Sequence, residues 1–110
     1  MEEIYTLVGK RIKEERKRLN ITQEDLADKT NLSVAFIGQI ERGVNRASLT
    51  TIEKVAQALE IPIANLFKNI PTKKTEYTIT KQLESMLRDK SPKEQKLARE
   101  LLRLVFSRKR

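Results

Sequence analysis

QEDLADKTNLSVAFIGQIER, residues 23–42, is the stretch whose reading decides the fold. It holds two short amphipathic segments, Gln23 to Thr30 and Ser33 to Arg42, separated only by Asn31 and Leu32. That connection is too short for anything but a sharp corner, so the segments form a helix-turn-helix. Thr22 precedes the first segment with Asp25 three residues on, an N-cap followed by a carboxylate that suits the positive helix end and approximates a capping box. Ser33 stands in the same relation to the second. At helical periodicity Leu26, Ala27, Leu32, Ile37 and Ile40 fall on the inner faces of the corner. Ala27 is small where the second helix must come close, and Asn31 sits where the chain needs a positive φ, a conformation that Asn tolerates second only to Gly.

Opposite Ile37 and Ile40 on the helical wheel lie Ala35, Gly38, Gln39 and Arg42. This outward stripe is small, then polar, then cationic. A helix lying in a DNA major groove needs that mixture: little bulk, one amide able to read an adenine edge, and a cation for phosphate. Gly38 in mid-helix costs about 1 kcal/mol relative to Ala, and close approach to a ligand would account for it. Ala35 and Val34 offer apolar contact to a thymine methyl, although Val34 suits a partly buried position equally well.

Working outward, the corner is preceded by VGKRIKEERKRLNITQEDLA and followed by IERGVN and ASLTTIEKVAQALEIPIANLF. With these runs the chain from Val8 to Phe67 resembles the Cro and phage-repressor type of DNA-binding domain, the XRE family. Relatives usually carry Gly where this chain has Asn31, and commonly a Pro near Ala47-Ser48; neither difference touches the outward stripe. The resemblance implies an all-α, five-helix, lambda-repressor-like domain. It also implies that Arg16 pairs with Glu41, tying the first helix to the end of the reading helix, where spacing alone leaves a pair and two solvated charges equally open. The DNA contacts expected with it are Gln23, Ser33, Val34, Ala35, Gly38, Gln39, Arg42, Asn45 and Arg46. Taken singly, Gln23 and Gln39 would be ordinary exposed amides. In this motif Gln23 stands at a helix N-terminus that favours an anion, and Asn45 and Arg46 stand at the rim where phosphates pass.

Composition narrows the alternatives. The 110 residues contain no Cys and no His, which removes disulfides, thiolate chemistry and the usual zinc sites, and no cofactor is expected. Carboxylates and lysines fall on solvent faces, with neither a Gly-rich phosphate loop nor a nucleophile arrangement, so an enzyme is not expected. Scattered Tyr and Phe offer no stacking platform for RNA. No run approaches the roughly 20 apolar residues of a membrane span, and the first residues do not read as a signal peptide, so the expected location is the cytoplasm. The net charge of +8 is unevenly placed. Residues 1–70 carry 11 Lys and Arg against 10 Asp and Glu, and residues 71–110 carry 12 against 5. The DNA reading therefore rests on pattern and on local cations, while the overall field comes from the tail.

In chain order, Glu3 to Leu19 reads as a helix in which Gly9 is a weak point, and Asn20-Ile21 as its end. Gly43 suits the position after the reading helix. Ser48 caps a helix from Leu49 to Leu59, and Pro62 opens a short fifth helix to about Lys68. Residues 1–69 thus form the helix-turn-helix domain and 70–79 a linker, within which Glu76 to Thr80 alternates weakly and reads as extended. Residues 80–110 form a two-helix hairpin, its second helix announced by the capping box Ser91-Pro92-Lys93-Glu94. Two short helices need a partner for their apolar faces. They can fold back on their own domain or pair between chains. Pairing is the expectation, through Leu83, Leu87, Leu97, Leu101, Leu104 and Val105.

The sequence reading is therefore a sequence-specific transcriptional regulator, a repressor binding a palindromic operator as a homodimer. The alternative is an antitoxin-like module whose C-terminal helices bind a partner protein while its DNA binding is autoregulatory.

Overall fold

The computed structural model describes residues 4–44, 47–68, 76–87 and 91–106, with only the backbone of 76–79 and 105–106. Six helices follow one another among the described residues: α1 Ile4–Arg18, α2 Gln23–Thr30, α3 Val34–Arg42, α4 Leu49–Ala58, α5 Glu76–Glu84 and α6 Pro92–Phe106, with a 3-10 turn over Ile63–Leu66 after α4. No strand occurs among the described residues. None of their helices is long and apolar enough to cross a membrane.

The helix boundaries follow the caps. Thr22 Oγ1 accepts from the Asp25 amide at 3.0 Å while the Asp25 carboxylate accepts from the Thr22 amide at 2.9 Å, a complete capping box. Ser33 and Ser48 cap α3 and α4 by accepting from the amides of Phe36 and Thr51. Asn31 is left-handed (φ 60°, ψ 34°), and the Leu32 amide turns back to the Ala27 carbonyl at 3.1 Å. The corner therefore closes as its residues require.

The hydrogen bonds from Thr22, the backbone amide first, hold the Asp25 carboxyl below the ordinary carboxylate range. A depressed value means that the ionised form stabilises the fold above the unfolded value near ~3.9, and that this contribution is lost as pH falls through the folded value. Asp25→Asn should accordingly melt below the wild type at neutral pH, with the gap closing on acidification past about pH 4. A gap constant from pH 7 to 3 in parallel thermal melts would remove the carboxylate from the cap.

Two elements depart from the sequence reading. The expected fifth helix is only the 3-10 turn Ile63–Leu66, because Pro62 stays extended (φ −65°, ψ 144°) before it. Arg11 reaches across from α1 to the carbonyls of Leu66 and Lys68, closing the turn there. A segment this short is commonly wound as 3-10. Residues 76–80, expected to be extended, are the first turns of α5. Helix satisfies their backbone groups internally, whereas a lone strand there would have no partner.

Gly9 also needs reinterpretation. It is buried where α3 crosses α1: a Cβ at this position would lie 2.2 Å from the Ile40 carbonyl oxygen and 2.7 Å from that of Glu41. Gly43 completes the joint from the other side. Its φ is +73°, and a Cβ there would stand 2.6 Å from the Thr6 Cα. The weak point in α1 is thus the surface on which α3 rests.

One core runs through the chain. Leu26, Ile37, Leu49, Ile52, Leu59, Leu66 and Phe67 are buried together with Leu83, Met86, Leu97, Ala98 and Leu101. The Leu49 amide donates to the Met86 carbonyl at 3.0 Å, and the Glu94 carboxylate accepts from the amide and hydroxyl of Thr50 at 3.3 and 3.1 Å. The hairpin thus folds back on its own domain. Leu83, Leu97 and Leu101 are consequently not free for the subunit interface expected of them. Leu87 is half-buried, Leu104 remains 49% exposed, and the Val105 side chain lies outside the described residues. The physical reason is concentration. Each of these apolar side chains stabilises by about 1.5–3 kcal/mol when buried, and a tethered surface supplies that burial without a second molecule.

Candidate nucleic-acid interface

The inner face of α3 is spent on the core through Ile37 and Ile40, and α3 packs against α1 and α2. Its other side carries the expected contact residues. Ser33, Val34, Ala35 and Arg42 are exposed, with Val34 at 42%, and Gln39 is half-buried. Asn45 and Arg46, expected beside them, lie outside the described residues.

Gly38 is buried, yet under polar side chains. A Cβ built on it would meet Arg42 Nη1 at 3.2 Å and the Gln23 amide at 3.8 and 3.9 Å. Its missing side chain therefore gives room for Gln23 and Arg42 to lie over the helix, where close approach of an outside ligand had been expected. These neighbours are ends of flexible side chains. They can swing aside.

Behind this surface lies the pair that the resemblance implied. Arg16 Nε donates to Glu41 Oε2 at 2.6 Å and Arg16 Nη2 to Oε1 at 3.2 Å, a two-pronged contact with side-chain exposures of 9% and 2%. Arg16 Nη1 also holds the Ile21 carbonyl at 3.0 Å, and Gln23 Nε2 donates to Glu41 Oε1 at 3.0 Å. One carboxylate at the end of α3 thus receives donors from α1 and from the start of α2. Among the described residues no buried side-chain nitrogen or oxygen lacks a partner. The network fixes the pitch of α3 against both neighbours, which is what presentation of a rigid outward stripe requires.

Gln23 has a partner within the chain as well. Expected to meet a phosphate, it directs one amide N–H inward to Glu41. No local pattern announces that bond, since the residues are 18 apart in sequence. Beside Gln23 an open depression of about 730 Å³, lined by Lys17, Asn20, Ile21, Thr22, Glu24 and Val34, runs from the end of α1 to the start of α3. No group of three side chains able to hold a metal occurs among the described residues.

Comparison with known proteins agrees with this geometry. The Helix-turn-helix family matches residues 12–66, half of the chain. The immunity repressor protein of Bacillus phage phi105 is 37% identical over 91 residues, which is 74% of this chain and 63% of that repressor, so the chain spans less than two thirds of that relative's length. Among solved structures, the restriction-modification controller protein C.AhdI from Aeromonas hydrophila superposes with a TM-score of 0.56 at 36% identity, covering 57% of this chain and 96% of that one. The controller protein C.Esp1396I, solved as a tetramer in complex with its natural 35 base-pair operator, superposes with a TM-score of 0.56 at 31% identity, covering 61% and 88%. With half of the chain matched to one family, the protein is a member of the Helix-turn-helix family.

Proposed function

We propose that the chain is a repressor that binds a twofold-symmetric operator as a homodimer, with α3 of each protomer in the major groove. The observation that carries this reading is the outer side of α3, with Ala35 and Arg42 exposed and Gln39 half-buried, held from behind by Arg16, Glu41 and Gln23. In this mechanism Gln39 offers its amide to an adenine edge and Val34 and Ala35 meet thymine methyls, while Arg42 and Ser33 hold phosphates. A twofold dimer sets two reading helices about 34 Å apart, one helical turn of DNA. Repression follows when the operator overlaps a promoter, because the bound dimer excludes polymerase. The operator complex of C.Esp1396I supports an assembly of several chains on one site. The C-terminal hairpin, its apolar face turned inward, lends no support to an antitoxin-like grip on another protein.

Selection of bound sites from random duplex DNA, with the stoichiometry of the complex measured alongside, tests the proposal. It expects an enriched palindrome carrying two protomers per site; enrichment of no sequence, or of a single half-site bound by a monomer, overturns it. On the selected site Gln39→Ala is expected to lose about 1–3 kcal/mol of affinity, with little change on random DNA. Equal losses on both would show that Gln39 reads no base.

A further inference from the structure

The DNA-reading half of the chain is nearly neutral, at 11 cations against 10 anions over residues 1–70, whereas residues 71–110 carry 12 against 5. The structure shows where part of that excess goes. In α6 the buried side chains are Glu94, Leu97, Ala98 and Leu101, which face the core together. At about 100° per residue the opposite side of α6 is then Lys96, Arg99 and Arg103. All three are exposed, and among the described residues none makes an ion pair. Glu100 is one turn from both Lys96 and Arg103, yet it bridges to neither. An isolated exposed Lys or Arg is ordinarily just solvated. Here they form a row of roughly one cation per 5.4 Å turn, on a helix anchored to the domain by its other face.

We propose that this outer face of α6 is a second, sequence-independent contact surface for the phosphate backbone of duplex DNA. It deepens the reading above by dividing the work: α3 supplies discrimination, and α6 supplies the long-range attraction that a near-neutral reading domain lacks. Duplex DNA carries one charge per about 1.7 Å of axis, so a rigid cation row of this pitch finds a phosphate for every side chain without needing a base sequence. Arg99 and Arg103 suit this role because a guanidinium is planar, permanently charged and forked toward phosphate oxygens.

The test compares the full-length wild type with the triple variant Lys96→Gln, Arg99→Gln, Arg103→Gln, measuring binding to a random-sequence duplex and to the selected operator across a salt series. All three positions are exposed, so the variant is expected to keep the wild-type melting temperature. Each phosphate contact contributes about −0.9 to the log–log salt slope, so the variant's slope on random duplex should be shallower by roughly 2–3. Discrimination between operator and random DNA should be retained or increased, the opposite of the pattern expected for Gln39→Ala. An unchanged slope on random duplex overturns the proposal while leaving the operator reading intact. A reduced slope in a protein that selects no operator would uphold this surface and overturn the repressor reading. Failure of the wild type to bind any duplex at low salt would overturn both.

Discussion

Gly9→Ala is expected to destabilise the protein by about 3 kcal/mol, the upper part of the range for an overpacked core, and to lower its melting temperature by roughly 10–20 °C. In an exposed helix the same change would stabilise by about 1 kcal/mol, so the sign is itself the test. The added methyl would lie 2.2 Å from the Ile40 carbonyl oxygen and 2.7 Å from that of Glu41. Both are backbone atoms of α3. No rotamer change can move them. Relief requires the last turn of α3 to lift from α1, which loosens the packing of Val8 and Ile12 and lengthens the Arg16–Glu41 contact. A calorimetric scan showing Gly9→Ala equal to or more stable than wild type would mean that the two helices do not meet as described. Lys13→Ala, exposed on the same helix, is the control and should change stability by no more than about 0.5 kcal/mol.

The second large effect belongs to Arg16. Arg16→Ala removes two of the three donors to a carboxylate that is 2% exposed and leaves Glu41 buried with Gln23 alone. Breaking a buried pair from one side costs about 3–5 kcal/mol, because a charge stays behind without its counter-ion. Where the whole stability is on the order of 5–15 kcal/mol, such a loss leaves a measurable unfolded fraction at growth temperature. Replacing both partners by apolar residues of similar size, Arg16→Met with Glu41→Leu, should restore most of the stability, since neither charge then needs burial. The double variant separates two roles of the network. It should melt within about 1 kcal/mol of the wild type yet bind operator more weakly, because α3 has lost its hydrogen-bonded tie to α1 and α2. Denaturant titrations of Arg16→Met, Glu41→Leu and the double variant close the cycle. Additive losses would show that the two side chains do not interact, and full operator affinity in the double variant would show that the tie does not orient α3.

Both predictions converge on the joint between α1 and α3, and this joint separates what was legible from what was not. The Arg16–Glu41 pair was reached through resemblance, because 25 residues separate the partners and spacing could not join them. Gly9 and Gly38 pose the same puzzle to a sequence reader, a glycine costing helix stability without local reason. By sequence, Gly38 on an outward stripe points to close approach of a ligand, and Gly9 to a weak point in its helix. The packing shows Gly9 as the site of the closest backbone approach, and Gly38 as the space beneath two polar side chains of the chain itself.

What the amino acids determined unaided is the corner itself: where α2, α3 and α4 begin, the left-handed Asn31 between the first two, and that Ala35 and Arg42 of α3 stay outside. Those features depend on caps and periodicities spanning a few residues, so their physical causes lie next to one another in the chain. Only the tertiary structure decided that the C-terminal hairpin buries its leucines against its own domain, that Gln23 turns inward to Glu41, and that α1 needs a glycine where α3 crosses it. Each of these depends on which distant surfaces meet, and helical periodicity marks a face for burial without naming what will cover it.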